Sequence, residues 1–280
     1  MHFNFDFNAV QILWTLTFAT HLILLVVLLG RDRIHRFPWF TAGVVLVALR
    51  LLSSRLLYGR MPQITMSAIF IVMADISAAI ALLVVVEMAR RAFGGASRRA
   101  WMAWTVVLLA AGGTVLATWG KWPAWKTIAF DTLLARLGLL QLVAQKTGLL
   151  VDVVTILLGL LVVMFGRRYG AGWRSHVQQI VIGLSTASLG QLAVQAVWET
   201  IARTAVPHSM AEYQHVVNLR ERLFNANGAI YVVVMVWWIV CLWIDEPGAG
   251  TAAAGAVAAG AVAEPADGLV DVEPTEAEIE

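Results

Sequence analysis

Four charged side chains interrupt otherwise apolar runs: Arg50, Arg55, Asp75 and Asp152. An ionisable group at membrane depth is costly, so it is kept facing a bundle interior, paired with an opposite charge or wetted. Such charges either lock neighbouring helices by an ion pair or hold an anion, a proton or a polar solute. At a rise of about 1.5 Å per residue, Arg50 lies roughly 16 Å and Asp75 about 15 Å into its run, the matched depth that an ion pair between consecutive antiparallel helices needs. Arg55 and Asp152 come out together in the outer half, where the long Arg55 side chain reaches the headgroups.

Uncharged polar residues extend this set. Ser188, Gln191, Gln195 and Glu199 recur at spacings of three and four, a stripe on one helical face that must meet other helices or water. His21 lies about 18 Å into its run, with Thr17 one turn away. Arg55, Asp152, Gln191, Gln195 and Asn225 come from different helices in overlapping depth bands, with Arg50, Asp75 and His21 below them. They are expected to line an outward-facing polar pocket; held in tight interhelical contacts, they are structural glue instead. Glu87 reads as a local helical partner of Arg90 and Arg91.

The same inventory argues against several chemistries. His2, His35, His176, His208 and His215 lie in loops or at helix ends, so His21 has no second histidine at depth to hold a b-type haem. No lysine lies deep in a run to form a Schiff base, and the single Cys241 supports neither a disulfide nor a thiolate metal site. No His-Glu-x-x-His, Gly-x-Ser-x-Gly or phosphate loop is present. The sequence therefore assigns no catalytic residue, metal or cofactor.

The elements that position these groups follow from composition. The 280 residues are 60% apolar and 14% charged, and several runs approach the ~20 residues that a helix needs to cross about 30 Å of hydrocarbon. Windows such as 12–30 and 155–166 lack the charged face of a soluble amphipathic helix. The expected fold is all-α: a polytopic integral membrane protein with seven transmembrane helices near 9–30, 39–58, 65–88, 101–119, 148–165, 177–200 and 223–244. Segment 130–147 repeats apolar residues at Leu133, Leu134, Leu137 and Leu140, reading as an interfacial helix or as an outward extension of the fifth helix. Residues 247–280 carry Ala/Gly repeats and seven acidic side chains but no basic one, the composition of a disordered tail. Residues 1–8 lack the positive region of a cleavable signal, so the first helix is expected to be retained.

Arg31, Arg33, Arg36, Arg90, Arg91, Arg98, Arg99, Arg167, Arg168 and Arg174 crowd three short connections, while the opposite ones hold eight Lys or Arg in nearly twice the length. By the positive-inside rule the arginine-rich loops are cytoplasmic, the amino terminus is outside, the carboxyl terminus is inside, and the chain sits in the plasma (inner) membrane. The bilayer is the expected partner; a nucleic-acid surface would need these charges on one soluble face.

Seven helices, an outside amino terminus, short basic inner loops and outward-biased polar groups resemble, in architecture, the heptahelical sensor modules of bacterial membrane receptors. The resemblance implies a sensor or receptor-like protein that signals through a separate cytoplasmic or membrane partner. Two alternatives are a small-solute or ion transporter using Arg50, Asp75 and Asp152, and a structural subunit of a membrane complex. A reporter fused after Ala253 is expected to be active only if it works in the cytoplasm; periplasmic activity there would overturn the orientation.

Overall fold

A computed structural model describes residues 9–57, 59–94, 98–119, 122, 132–169, 175–205 and 209–245. The chain divides into a unit Met1–Ile244 and a second, Asp245–Glu280, of which only Asp245 is described; the acidic tail expected from 247 onward lies outside the described residues. Among the described residues there are seven α-helices and no strand: α1 (Ala9–Gly30), α2 (Pro38–Leu57), α3 (Gln63–Ala92), α4 (Arg98–Thr118), α5 (Leu133–Phe165), α6 (His176–Thr204) and α7 (Met210–Trp243). Six are long and apolar enough to cross a membrane; the apolar part of α4, Met102–Thr118, is shorter.

Local chemistry sets the ends. Pro38 opens α2, a position whose N–H is unbonded in any helix. Gly59, in the turn after α2, has φ +73°, which glycine adopts without strain. Thr132, Ser175 and Ser209 cap α5, α6 and α7, each accepting from the backbone N–H three residues on. Two of these caps start helices that run well beyond the apolar segments. Of the two forms that the spacing in 130–147 allows, the structure has the outward extension: from Leu133 the segment is the first part of one continuous 33-residue α5. The last helix, expected from 223, begins at Met210, because Ser209-x-x-Glu212 starts it and good helix formers carry it through the polar turns. A helix beyond the hydrocarbon needs no apolar stripe. At about 50 Å, α5 and α7 exceed the ~30 Å hydrocarbon thickness, and the surplus is their amino-terminal turns.

The helices pack as a closed ring, each touching the next in the order α1, α2, α3, α5, α6, α7 and back to α1; α4 lies outside, against α5, and α3 also meets α6 across the centre. Small residues allow the close approaches. A Cβ on Gly112 of α4 would come within 2.8 Å of Leu150 and Val154 of α5. One on Gly159 of α5 would collide with Ser185 of α6, and one on Gly183 of α6 with the Trp238 indole of α7. Without a hydrophobic force between helices in lipid, such close van der Waals packing is what holds them.

Burial is uneven along the ring. At one end, flanked by Arg31, Arg90, Arg91, Arg167 and Arg168, Leu24, Leu28, Phe37, Phe40, Met88, Leu158, Val162, Ile180, Val181, Met235 and Leu242 form a continuous core. Toward the other end, α1 has no buried residue before Thr20, α6 none after Ser188 and α7 none before Val234. The bundle is solid at its basic end and loosely packed at the opposite, distal end. Large exposed apolar side chains on the outer faces, Val26, Leu29 and Val233 among them, suit contact with lipid.

Polar contacts tie the solid end together. Glu87 of α3 is buried; its Oε2 accepts from the Phe40 N–H of α2 at 3.1 Å, and Arg91 approaches its other oxygen at 3.5 Å. The local Arg91 pairing is as expected, but the carboxylate also satisfies an orphan donor at the positive end of another helix. His176 Nε2 donates to the Ile244 carbonyl at 2.9 Å, joining the start of α6 to the end of α7, and Arg31 stacks on Trp243 at 5.1 Å. At the distal end Arg55 lies over Trp14 at 5.7 Å and Arg220 over Trp198 at 5.3 Å. Trp14 and Arg31 are about 26 Å apart along α1, close to one hydrocarbon thickness, so the cation–aromatic pairs suit the two interfaces.

Replacing Glu87 with Ala should leave the Phe40 N–H buried and unbonded, at a cost of about 1–3 kcal/mol. Glu87→Gln, which keeps a carbonyl oxygen, should lose less; equal melting temperatures for both variants and the parent in detergent would show that the contact is dispensable.

Candidate functional site

Above the solid core the ring encloses a cavity of about 320 Å³. Its walls come from five helices: Phe40, Gly43 and Val47 of α2, Ser77, Ala81 and Val84 of α3, Asp152 and Thr155 of α5, Leu184, Ser188 and Gln191 of α6, and Asn227, Tyr231 and Trp238 of α7. The α1 helix closes the ring behind α2 and α7. The cavity is graded along the bundle axis. Phe40 and Trp238, ring centroids 5.1 Å apart edge to face, form an apolar floor toward the basic end. Asp152, Ser188 and Tyr231 stand at middle depth, and Gln191 and Asn227 at the distal mouth, where Gln191 is exposed. From Trp238 to Asn227 the axial span is about 16 Å.

Three hydrogen-bonded pairs border this space, each joining two helices. Ser188 Oγ donates to Asp152 Oδ1 at 2.8 Å (α6 to α5), and Asn227 Nδ2 donates to Gln191 Oε1 at 2.5 Å (α7 to α6). His21 is fully buried on α1 and lies 3.1 Å from the Tyr231 hydroxyl through Nε2. Its Nδ1 is 2.6 Å from the Thr17 carbonyl, which only accepts, so Nδ1 carries a proton; with the ring neutral, Nε2 accepts from Tyr231.

The residues singled out from sequence are thus divided. Asp152 and Gln191 line the cavity, and His21 meets it through Tyr231. Gln195 is directed elsewhere: its amide donates to Glu199 at 3.3 Å, and Glu199 accepts from the Trp119 indole at 3.4 Å, below the end of α4. Arg55 is the partner of Trp14 at the distal end. Arg50 is exposed, on the α2 face of Gly43 and Val47 but one turn nearer the mouth. Asp75 is half-exposed and forms no ion pair with Arg50 among the described residues. Depth matched those two charges, but azimuth separates them: Ser77, Ala81 and Val84 mark the cavity face of α3, and Asp75, two residues from Ser77, is turned about 200° from it.

Asn227, not Asn225, borders the cavity, and Tyr231 escaped the sequence reading. Tyr231 had a signal available, as the one tyrosine within the apolar run of the last helix. Among the described residues no three His, Cys, Asp or Glu side chains are placed to hold a metal ion. No family model matches the chain, and no curated protein or solved structure matches it. What fold and site define is an all-helical chain with the helix set of a multi-pass membrane protein and an internal cavity that is apolar below and polar above.

A double-mutant cycle over Asp152→Asn and Ser188→Ala is expected to give a coupling of about 0.6–1.7 kcal/mol in unfolding stability, the range of interhelical hydrogen bonds in membranes. Strict additivity would mean that the pair does not join α5 to α6.

Proposed function

We propose that this protein is a heptahelical membrane sensor of receptor type, binding a small molecule in the central cavity and passing the signal to a separate partner. One observation carries the reading: the ring is solid at the basic end, hollow at its centre and polar where the hollow meets the distal surface. A preformed, mostly apolar cavity of this size with a few convergent polar groups is the usual form of a small-ligand site. With the arginine-rich end in the cytoplasm, the mouth faces outward. Ligand contact at Tyr231 and Trp238 would act on α7, whose last residues touch α1 through Arg31 and lie beside the α6 start through His176. That is a short mechanical route from the cavity to the cytoplasmic face. The transporter alternative draws less support, because of its three coupling charges only Asp152 borders the cavity.

Accessibility tests this reading. With Cys241 replaced by Ser, single cysteines at Gln191 and Asn227 are expected to react in intact cells with a membrane-impermeant thiol reagent added outside, while one at Ala92, in the packed end, is not. Binding of a small molecule in the cavity should slow labelling at both mouth positions. Complete protection of both in untreated cells would remove the outward mouth and favour a structural subunit.

A further inference from the structure

We infer, building on the sensor reading, that the cavity takes an amphipathic cation of the alkylamine class, its ammonium between Asp152 and Tyr231 and its hydrocarbon chain against Phe40 and Trp238. The first observation is the account of hydrogen-bonding capacity at middle depth. Ser188 spends its proton on Asp152 Oδ1, Ser77 spends its own on the Met73 carbonyl at 2.7 Å, and Tyr231 spends its own on His21. Left over are the second oxygen of Asp152 and the free lone pair of the Tyr231 hydroxyl, both acceptors. The Thr155 hydroxyl can donate or accept. Donors remain at the two ends of the cavity: Trp238 Nε1, buried without a partner among the described residues on the indole edge laid against Gly183, at the floor, and the Gln191 amide N–H at the mouth. A ligand head that donates is therefore matched at middle depth, where Asp152 and Tyr231 both offer acceptors.

The second observation is independent of this account. Asp152 borders the cavity, yet among the described residues no Lys, Arg or His lies within ion-pair distance of it. A carboxylate at membrane depth is normally paired or wetted, and a bound ammonium supplies the missing counter-charge. The floor decides the rest of the ligand. From Tyr231 to Trp238 the wall is about 10 Å long and apolar on the α2, α3 and α7 sides, so a hydrocarbon chain fits below the charged head. Arg50, on the cavity face of α2, is exposed and stands a turn beyond Val47 toward the mouth.

The test uses the full-length protein in a neutral detergent and three probes of one chain length: n-octylamine, n-octanol and octanoate. Thermal stabilisation is measured across a concentration series for the parent, for Asp152→Asn, which keeps an oxygen for Ser188, and for Ala81→Phe, which fills the cavity. Micelle partitioning is common to the parent and both variants and cancels between them. The parent is expected to prefer octylamine over octanol and octanol over octanoate. Asp152→Asn should reduce apparent octylamine affinity on the order of ten- to a hundredfold, the worth of a hydrogen bond to a charged group, and leave octanol unchanged. Ala81→Phe should weaken octylamine and octanol alike. Equal binding of octylamine and octanol by the parent and by Asp152→Asn, with Ala81→Phe still weakening both, overturns the ammonium assignment while leaving a ligand cavity in place. A preference for octanoate overturns it in favour of an anion site. Absence of stabilisation by all three overturns the assignment, and if mouth cysteines also fail to label, the sensor reading falls with it.

Discussion

The Trp238 indole is the contact on which the rest of the molecule depends. It lies on Gly183 of α6, meets Phe40 of α2 edge to face and is itself part of α7, so three members of the ring converge on one ring system. An indole can occupy that position only because Gly183 offers no side chain. With the centre filled there, the layers below it pack continuously through Met88, Ile180, Met235 and Leu242. Above it Gly43, Ala81, Ala187 and Ser188 line the space and the Tyr231 hydroxyl is held by His21, so a cavity remains. Floor and cavity are two results of one distribution of large and small side chains.

The polar groups are organised by the same geometry. Inside hydrocarbon a donor or acceptor needs a partner within the protein, and the α6 stripe shows how one face serves several. Ser185 reaches back to the α5 backbone, Ser188 bonds Asp152 on α5, Gln191 is bonded from α7, and Gln195 with Glu199 turns to the end of α4. Because α-helical residues three or four apart drift in azimuth, a stripe that looks uniform on paper fans out over three neighbours. Its middle members border the cavity and its outer members join helices, so structural glue and cavity lining are successive parts of a single stripe.

How far the sequence could be read depended on what each residue had to satisfy by itself. Apolar run length and arginine placement are one-dimensional quantities, and they mark the helices and the basic end; the polar turns that open α7 carry no apolar signal, and only the Ser209 cap and helix propensity mark them. Depth, too, is one-dimensional; it sets Asp152 in the outer half beside Arg55, whereas Asp152 stands at the middle of the cavity wall, level with Tyr231. It failed for Asp75, which shares a depth with Arg50 but is rotated off the cavity face of α3.

What the sequence by itself determined is an all-helical chain with long apolar helices, one arginine-rich end and polar residues at defined depths, because hydrophobic length, charge and helical rise act along the chain. Only the tertiary structure decided that α4 stands outside the ring, that Tyr231 joins His21, and that Asp152 borders a cavity without a cationic partner among the described residues. Each of these depends on the rotation of one helix about its own axis relative to its neighbours. That rotation is chosen by which small residue admits which large one across an interface, as Gly183 admits Trp238 and Gly112 admits Leu150, and such complementarity exists only between segments far apart in the chain.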